Sequence, residues 1–118
     1  MSTEIITSAE AKHEIDKIVS ENKFVLFTAT WCPDCVYVKK ILEEHNILEK
    51  FYVWELSRYE KGTSNFKTYT SAWFAKAEGQ QNIPLLFIDG LYFGTEHQIK
   101  SWEAAGKLQE QFEKLGLF

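Results

Sequence analysis

The chain has 118 residues, and we expect one domain spanning 1–118 because single domains commonly have this length. It is 45% hydrophobic and 15% aromatic, which provides enough apolar surface for a core and excludes a disordered chain. The net charge of −4, from 13 basic and 17 acidic residues, argues against nucleic acid or an anionic membrane as a partner.

A helix and a strand are predicted first along the chain. Thr7 and Glu10 have the spacing of a capping box, and apolar residues recur at helical intervals over 11–19. Residues 24–29 form a short, continuous apolar run, which is typical of a strand buried on both faces.

The middle of the chain predicts a helix, a strand, a loop and another helix. Pro33 favours a helix start, because its missing N–H is not needed at the first helical position, and the apolar pattern continues toward Asn46. Residues 51–56 are aromatic and β-branched and predict a second strand, followed by a polar loop over 57–64. Apolar residues at helical spacing over 66–77 predict the third helix.

The last third predicts a hairpin and two closing helices. Residues 84–88 and 91–93 read as strands joined by the turn signal Asp89-Gly90. Helical spacing recurs around 99–102 and over 108–115. The order α-β-α-β-α-β-β-α-α predicts an α/β fold with a four-stranded mixed central sheet flanked by helices.

Cys32 and Cys35 lie at the predicted junction between the first strand and the second helix. The unpaired N–H groups and the dipole of a helix N-terminus stabilise a thiolate, so we expect Cys32 to be a nucleophile. Cys35, one turn into the helix, should be less exposed and stay protonated until needed. Cys32 would attack a substrate disulfide, and Cys35 would resolve the product by closing a Cys32–Cys35 bond.

Two other interpretations of the cysteines remain open. The pair could be ordinary buried cysteines that fall at this spacing by chance. It could also be half of a zinc site completed by His13, His45 or His97, although none of these has metal-ligand spacing to the cysteines. We therefore expect no metal, and we expect His13 and His45 to be solvated helix residues.

The N-terminal residues 1–8 lack the basic and apolar segments of a secretory signal. No apolar run approaches the about 18 residues of a membrane span. Two cysteines are too few for a disulfide-stapled secreted scaffold. We therefore expect a cytoplasmic protein with no membrane partner.

Three segments make the chain resemble the glutaredoxin branch of the thioredoxin superfamily. They are residues 31–35 (Trp-Cys-Pro-Asp-Cys), 82–84 (Asn-Ile-Pro), and 89–95, which begins with Asp-Gly and ends with Gly-Thr. The resemblance runs from residue 24 to the C-terminal helices and implies a thioredoxin-like fold. It also implies that Pro84 follows a cis bond and faces the cysteines.

The resemblance implies roles for the residues around this motif. Cys32 matches the family nucleophile and Cys35 the resolving thiol, with glutathione as reducing co-substrate. The Ile83 backbone would pair with glutathione as an added strand, and the helix start after Gly94 would bind its γ-glutamyl carboxylate. The implied glutathione-binding residues are Trp31, Pro33, Asp34, Ile83, Pro84, Gly94, Thr95, Glu96 and His97.

Several residues depart from the family pattern and remove contacts to glutathione. Ala29 and Gln81 stand where the family commonly has Lys and Arg, and His97 replaces the Asp that would hold the glutamyl ammonium. Asp34 replaces an aromatic residue and puts a carboxylate beside Cys32, which opposes formation of the thiolate. We therefore expect weak activity with glutathione.

The leading hypothesis is a monomeric thiol–disulfide oxidoreductase that reduces protein disulfides or glutathionylated proteins. A second is a thioredoxin-related protein reduced by a thioredoxin-reductase-type enzyme. Trp31 is the residue that thioredoxins use at this position, but Leu26 stands where they carry a buried Asp. A third is a non-catalytic module that binds glutathione or a metal.

Overall fold

The computed structural model of the protein describes residues 4–118, so the first three residues of the predicted domain lie outside it. The described chain has the predicted order of helices and strands, with two short 3₁₀ helices in addition. The elements are α1 (Ser8–Glu21), β1 (Phe24–Thr28), α2 (Pro33–Glu44), β2 (Tyr52–Glu55), α3 (Ser64–Lys76), β3 (Leu85–Ile88), β4 (Leu91–Gly94), α4 (Glu96–Ala104) and α5 (Leu108–Lys114).

The four strands form one mixed sheet in the order β2-β1-β3-β4. Strand β1 runs parallel to β2 and antiparallel to β3, and β4 pairs antiparallel with β3. Because Phe27 pairs with Leu85, the end of β1 and the beginning of β3 lie at the same edge of the sheet. The predicted α/β fold with a four-stranded mixed sheet is confirmed, and its pairing brings the loop after β1 close to the segment before β3.

An apolar core lies on each face of the sheet. The α1 and α3 side is filled by aromatic rings, with the centroids of Phe27 and Trp73 5.1 Å apart. The α2, α4 and α5 side includes Leu26, Leu42 and Phe112. Every residue of β1 is buried, as expected for a strand covered on both faces.

Local signals in the sequence placed several boundaries correctly. Thr7 caps α1 in the predicted capping box with Glu10. Asp89 and Gly90 have φ of 54° and 82°, so both adopt the left-handed conformation that a two-residue hairpin turn requires.

Two local expectations differ from the structure. His45 is not a solvated helix residue: it caps the end of α2, its Nδ1 lies 2.9 Å from the Ile41 carbonyl oxygen, and its ring packs edge-on against Phe112. Helix α5 covers this histidine, and sequence spacing does not reveal that contact. The polar loop over 57–64 is partly ordered as a 3₁₀ helix, Leu56–Arg58.

Within residues 4–118, no helix is long and apolar enough to cross a bilayer.

Candidate active site

Cys32 is the N-cap residue of α2. A turn after β1 brings its backbone N–H to the Ala29 carbonyl oxygen at 3.3 Å, and Pro33 begins the helix. The Cys32 sulfur accepts a hydrogen bond from the Cys35 backbone N–H at 3.3 Å. The sulfur thus occupies the place of a capping oxygen, where the N–H group and the helix dipole favour negative charge.

Cys35 is the more deeply buried of the two free thiols, with 0% of its surface exposed against 7% for Cys32. Burial, followed by the hydrogen bond with Cys32, raises the pKa of Cys35 to about 12. The Thr28 hydroxyl and the Ala29 backbone act in the opposite direction and lower this pKa. At neutral pH Cys35 is therefore held as a thiol.

The segment before β3 faces the nucleophile candidate. The Ile83–Pro84 bond is cis, as the resemblance implied, and Pro84 is buried. The Cys32 thiol lies 3.8 Å from the Ile83 carbonyl oxygen, to which it donates. Backbone groups of Ile83 consequently lie next to the sulfur, where an extended ligand could pair with them.

The junction of β4 and α4 is built as a capped helix start. Thr95 is the N-cap, and its hydroxyl oxygen accepts the His97 backbone N–H at 3.3 Å. The Thr95 backbone N–H donates to Gln98 Oε1 at 2.9 Å. A Cβ on Gly94 would lie 2.3 Å from the end of the Gln98 side chain, so a larger residue at 94 would displace Gln98 from this cap.

Glu96, the first residue of α4, carries a buried carboxylate. Only 5% of its surface is exposed, and its Oε2 has no hydrogen-bond partner among the described residues. Its Oε1 lies 3.7 Å from Nε2 of His97, whose ring is exposed. A negative charge of the protein itself therefore lies at the helix end where the resemblance placed a glutathione carboxylate.

An ion pair that the sequence did not predict joins α2 to α4. Lys100 Nζ lies 3.0 Å from Asp34 Oδ1, and this hydrogen bond raises the pKa of Lys100. The pair ties the second turn of α4 to the first turn of α2 and balances the charge of Asp34. No local pattern could have indicated it, because the partners are 66 residues apart.

Trp31 provides an exposed aromatic surface next to Cys32. Its ring is 44% exposed and lies 6.4 Å, between centroids, from Phe66. Lys61 Nζ lies 3.8 Å from the centre of the indole, within the range of a cation–π contact. Aromatic surface and a cation therefore lie together at the rim of the site.

A hydrogen-bonded chain holds the loop that precedes the motif. The Thr30 backbone N–H donates to Ser57 Oγ at 3.0 Å, and Ser57 donates to Glu55 Oε2 at 2.7 Å. The other oxygen of Glu55 lies 2.8 Å from Lys39 Nζ on α2. Sequence reasoning missed these residues because they act through contacts between separate elements.

The predicted site residues lie in two groups, one at the start of α2 and one at the start of α4. Cys32, Trp31, Pro33 and Asp34 lie at the start of α2, with Ile83 beside them. The α4 group is linked to the first through the contact of Lys100 with Asp34. Within residues 4–118, no three His, Cys, Asp or Glu side chains are grouped as a metal site would require.

Comparison with known proteins identifies one family. The glutaredoxin family model matches residues 24–93. Glutaredoxin-8 of Saccharomyces cerevisiae is 30% identical over 102 residues, which cover 86% of this chain and 91% of that protein.

Two solved structures have the same fold as this chain. The solution structure of the yeast dithiol glutaredoxin Grx8 superposes with a TM-score of 0.81 at 28% identity, covering 95% of this chain and 99% of that one. A buckwheat glutaredoxin–glutathione complex superposes with a TM-score of 0.71 at 23% identity, covering 94% of each chain. At 23% identity, the similarity to the buckwheat protein concerns the fold alone.

Proposed function

This chain belongs to the glutaredoxin family and is a thiol–disulfide oxidoreductase, and we propose that glutathione is its reductant and Cys32 its nucleophile. The observation that carries the proposal is the Cys32 sulfur at the N-cap of α2, where it accepts the Cys35 N–H. A thiolate at this position gains a charge-assisted hydrogen bond, and Cys35 lacks such a cap.

The first step is attack by the Cys32 thiolate on a substrate disulfide. A bond forms between Cys32 and one substrate sulfur while the substrate disulfide breaks, and the second sulfur leaves as a thiolate that takes up a proton from water. With a glutathionylated protein, the product is a mixed disulfide of Cys32 and glutathione together with the reduced protein. The electron pair that the leaving sulfur gains comes from the broken S–S bond.

The mixed disulfide can be resolved in two ways. A second glutathione thiolate attacks the bound glutathione sulfur, which releases oxidised glutathione and restores the Cys32 thiolate. Alternatively, the Cys35 sulfur attacks the Cys32 sulfur, which closes the Cys32–Cys35 disulfide and releases the group bound to Cys32 as a thiol: glutathione, or the second sulfur of a protein disulfide. Two glutathione molecules then reduce this disulfide. The first route needs one protein thiol, and the second needs both.

We propose that glutathione binds between the Ile83 backbone and the N-terminus of α4, and that it binds weakly. A glutaredoxin of this fold has been solved in complex with glutathione, which supports glutathione as the ligand. The buried Glu96 carboxylate repels the γ-glutamyl carboxylate there, and Ala29 supplies no cation near the motif. The substrates would be disulfide-bonded or glutathionylated proteins.

Cysteine variants test the assignment. Cys32→Ser should abolish turnover of a glutathionylated peptide, whereas Cys35→Ser should retain it and lose only the reduction of a protein disulfide such as that of insulin. The assay couples oxidised glutathione to glutathione reductase and NADPH. Turnover that survives Cys32→Ser would refute the nucleophile.

A second reductant is favoured by Trp31 and by the residues that replace the glutathione contacts. Thioredoxin reductase with NADPH, supplied in place of glutathione, would reduce the Cys32–Cys35 disulfide directly if this chain is used as a thioredoxin. We expect reduction by glutathione at a measurable rate and slow reduction by the flavoenzyme. The reverse preference would replace glutathione as the proposed donor.

A further inference from the structure

Thr28, the last residue of β1, carries a buried hydroxyl. The residue is 0% exposed, and among the residues that the structure describes its Oγ1 has no hydrogen-bond partner. Leaving a buried hydroxyl unpaired destabilises a fold, since the group loses its water without replacement. An apolar residue would fill the same place in this otherwise apolar strand, so the hydroxyl calls for an explanation beyond packing.

The hydroxyl lies on the face of β1 that α2 covers, because side chains alternate along a strand and Leu26, two residues earlier, belongs to the same core as the body of α2. A turn closed by the Cys32 N–H and the Ala29 carbonyl leads from the end of β1 into the first turn of α2. Cys35 is fully buried there, and the Thr28 hydroxyl and the Ala29 backbone both stabilise its ionised form.

We propose that Thr28 is a catalytic residue of the resolving step, donating a hydrogen bond from its hydroxyl to the Cys35 sulfur as that sulfur attacks Cys32. The inference rests on the dithiol route proposed above. In that step the Cys35–Cys32 bond forms, the bond between Cys32 and the substrate breaks, and the leaving sulfur takes up the proton that Cys35 releases. Thr28 keeps its own proton throughout.

This arrangement suits a charge that exists only briefly. A donor fixed in a water-free site need not reorganise when the charge appears, and it acts more strongly there than in water. The fixed hydroxyl therefore offsets part of the effect of burial, which disfavours the Cys35 thiolate. Cys32 has its own donor, the Cys35 N–H, so the two sulfurs are served by separate groups.

Thr28→Val, which keeps the shape and removes the hydroxyl, tests the proposal. Loss of a hydrogen bond to the charged sulfur lowers the fraction of Cys35 present as thiolate more than tenfold. The thiolate that remains is more basic and therefore a better nucleophile, which offsets part of this loss. Closure of the Cys32–Cys35 disulfide should therefore slow by about fivefold or more. Closure is measured by mixing the reduced protein with oxidised glutathione and quenching with acid, followed by mass spectrometry of the mixed and internal disulfides. The Thr28→Ser variant, which keeps a hydroxyl, should close the Cys32–Cys35 disulfide at nearly the wild-type rate.

Two further measurements separate this role from a structural one. In a Cys35→Ser background, Thr28→Val should leave turnover of a glutathionylated peptide unchanged, because no resolving sulfur remains to be assisted. The melting temperature of Thr28→Val should not fall, since a buried hydroxyl without a partner is removed.

The outcomes distinguish this inference from the proposed function. If the wild type closes the Cys32–Cys35 disulfide and Thr28→Val closes it equally fast, the role of Thr28 is refuted and the dithiol route stands. If the wild type forms no internal disulfide from the mixed disulfide, the dithiol route itself fails. An equal slowing of both single-thiol and dithiol turnover would also refute the inference, because it would show a general disturbance of the site.

Discussion

Single residues around the thiols set the charge that a ligand meets. Lys100 balances Asp34, and the cation of Lys61 lies against Trp31. The Glu96 carboxylate differs from these because it is buried at a helix start, with one oxygen unpartnered within residues 4–118. This residue is the clearest obstacle to an anionic ligand at α4.

Glu96→Gln should strengthen glutathione binding. Removing a negative charge from a poorly hydrated position near a ligand carboxylate should lower the KM for glutathione by about threefold or more, with kcat little changed. Steady-state assays with a glutathionylated peptide measure both constants. Glu43→Gln, an exposed change of the same charge near the other end of α2, serves as the matched control. An unchanged or higher KM in Glu96→Gln alone would contradict the location proposed for glutathione.

Sequence reasoning at this scale identifies groups whose chemistry is local. Cys32 and Cys35 are marked by their spacing at a strand–helix junction, and the N-cap role of Thr95 is evident from its residue type before a helical pattern. Thr28 gave a weaker signal as a hydroxyl that ends an apolar strand just before the motif. Lys100 gave none, because its function depends on a partner brought close by the fold.

At the scale of elements, Glu55 ties β2 to α2 and to the loop before the motif. Burial alone would raise the pKa of Glu55, but hydrogen bonds from Lys39 and Ser57 outweigh it, so the folded-state pKa lies below its ordinary value. A carboxyl group with a lowered folded-state pKa stabilises the fold above its unfolded pKa. That contribution is lost as pH falls through the folded value.

Glu55→Gln should therefore destabilise the protein at pH 7 by about 1 kcal/mol, the typical magnitude for a partly buried ion pair with a hydrogen bond. The difference from wild type should shrink below pH 4 and nearly vanish once the wild-type carboxyl is protonated. Urea unfolding at pH 7 and at pH 3 measures it. Glu49→Gln, an exposed change nearby, controls for net charge. A difference that persists undiminished at pH 3 would mean that packing, and not the charge, accounts for it.

The order and type of the elements were predictable from residue patterns, but their arrangement in space was expected only from the family resemblance. The apolar run over 24–28 indicated a strand covered on both faces, and Pro33 marked the start of α2. The strand order β2-β1-β3-β4 depends on pairings between distant segments that apolar spacing does not encode. His45 illustrates the consequence: its environment is decided by α5, which returns to cover the end of α2.

For the molecule as a whole, the site depends on two cores that hold the sheet from opposite faces. Residues of the motif belong to the core on the α1 and α3 face, whereas the body of α2 packs on the other face with α4 and α5. The family match ends at residue 93, yet α4 and α5 complete that second core. The C-terminal helices therefore support α2, which carries the thiols.

Phe112 on α5 tests how far the fold relies on this support. Its ring is 1% exposed and packs edge-on against Trp102 and His45, so Phe112→Ala leaves a cavity and should destabilise the protein by about 3–5 kcal/mol. Urea unfolding measures the loss, and Phe118→Ala, at a ring that is 54% exposed, should change stability by less than about 0.5 kcal/mol. Because Phe112 lies on the core opposite the motif, the alkylation rate of Cys32 in the folded variant should match that of wild type. A small loss of stability would show that α5 does not act as a structural support, and an altered alkylation rate in the folded variant would show that its influence reaches the thiols.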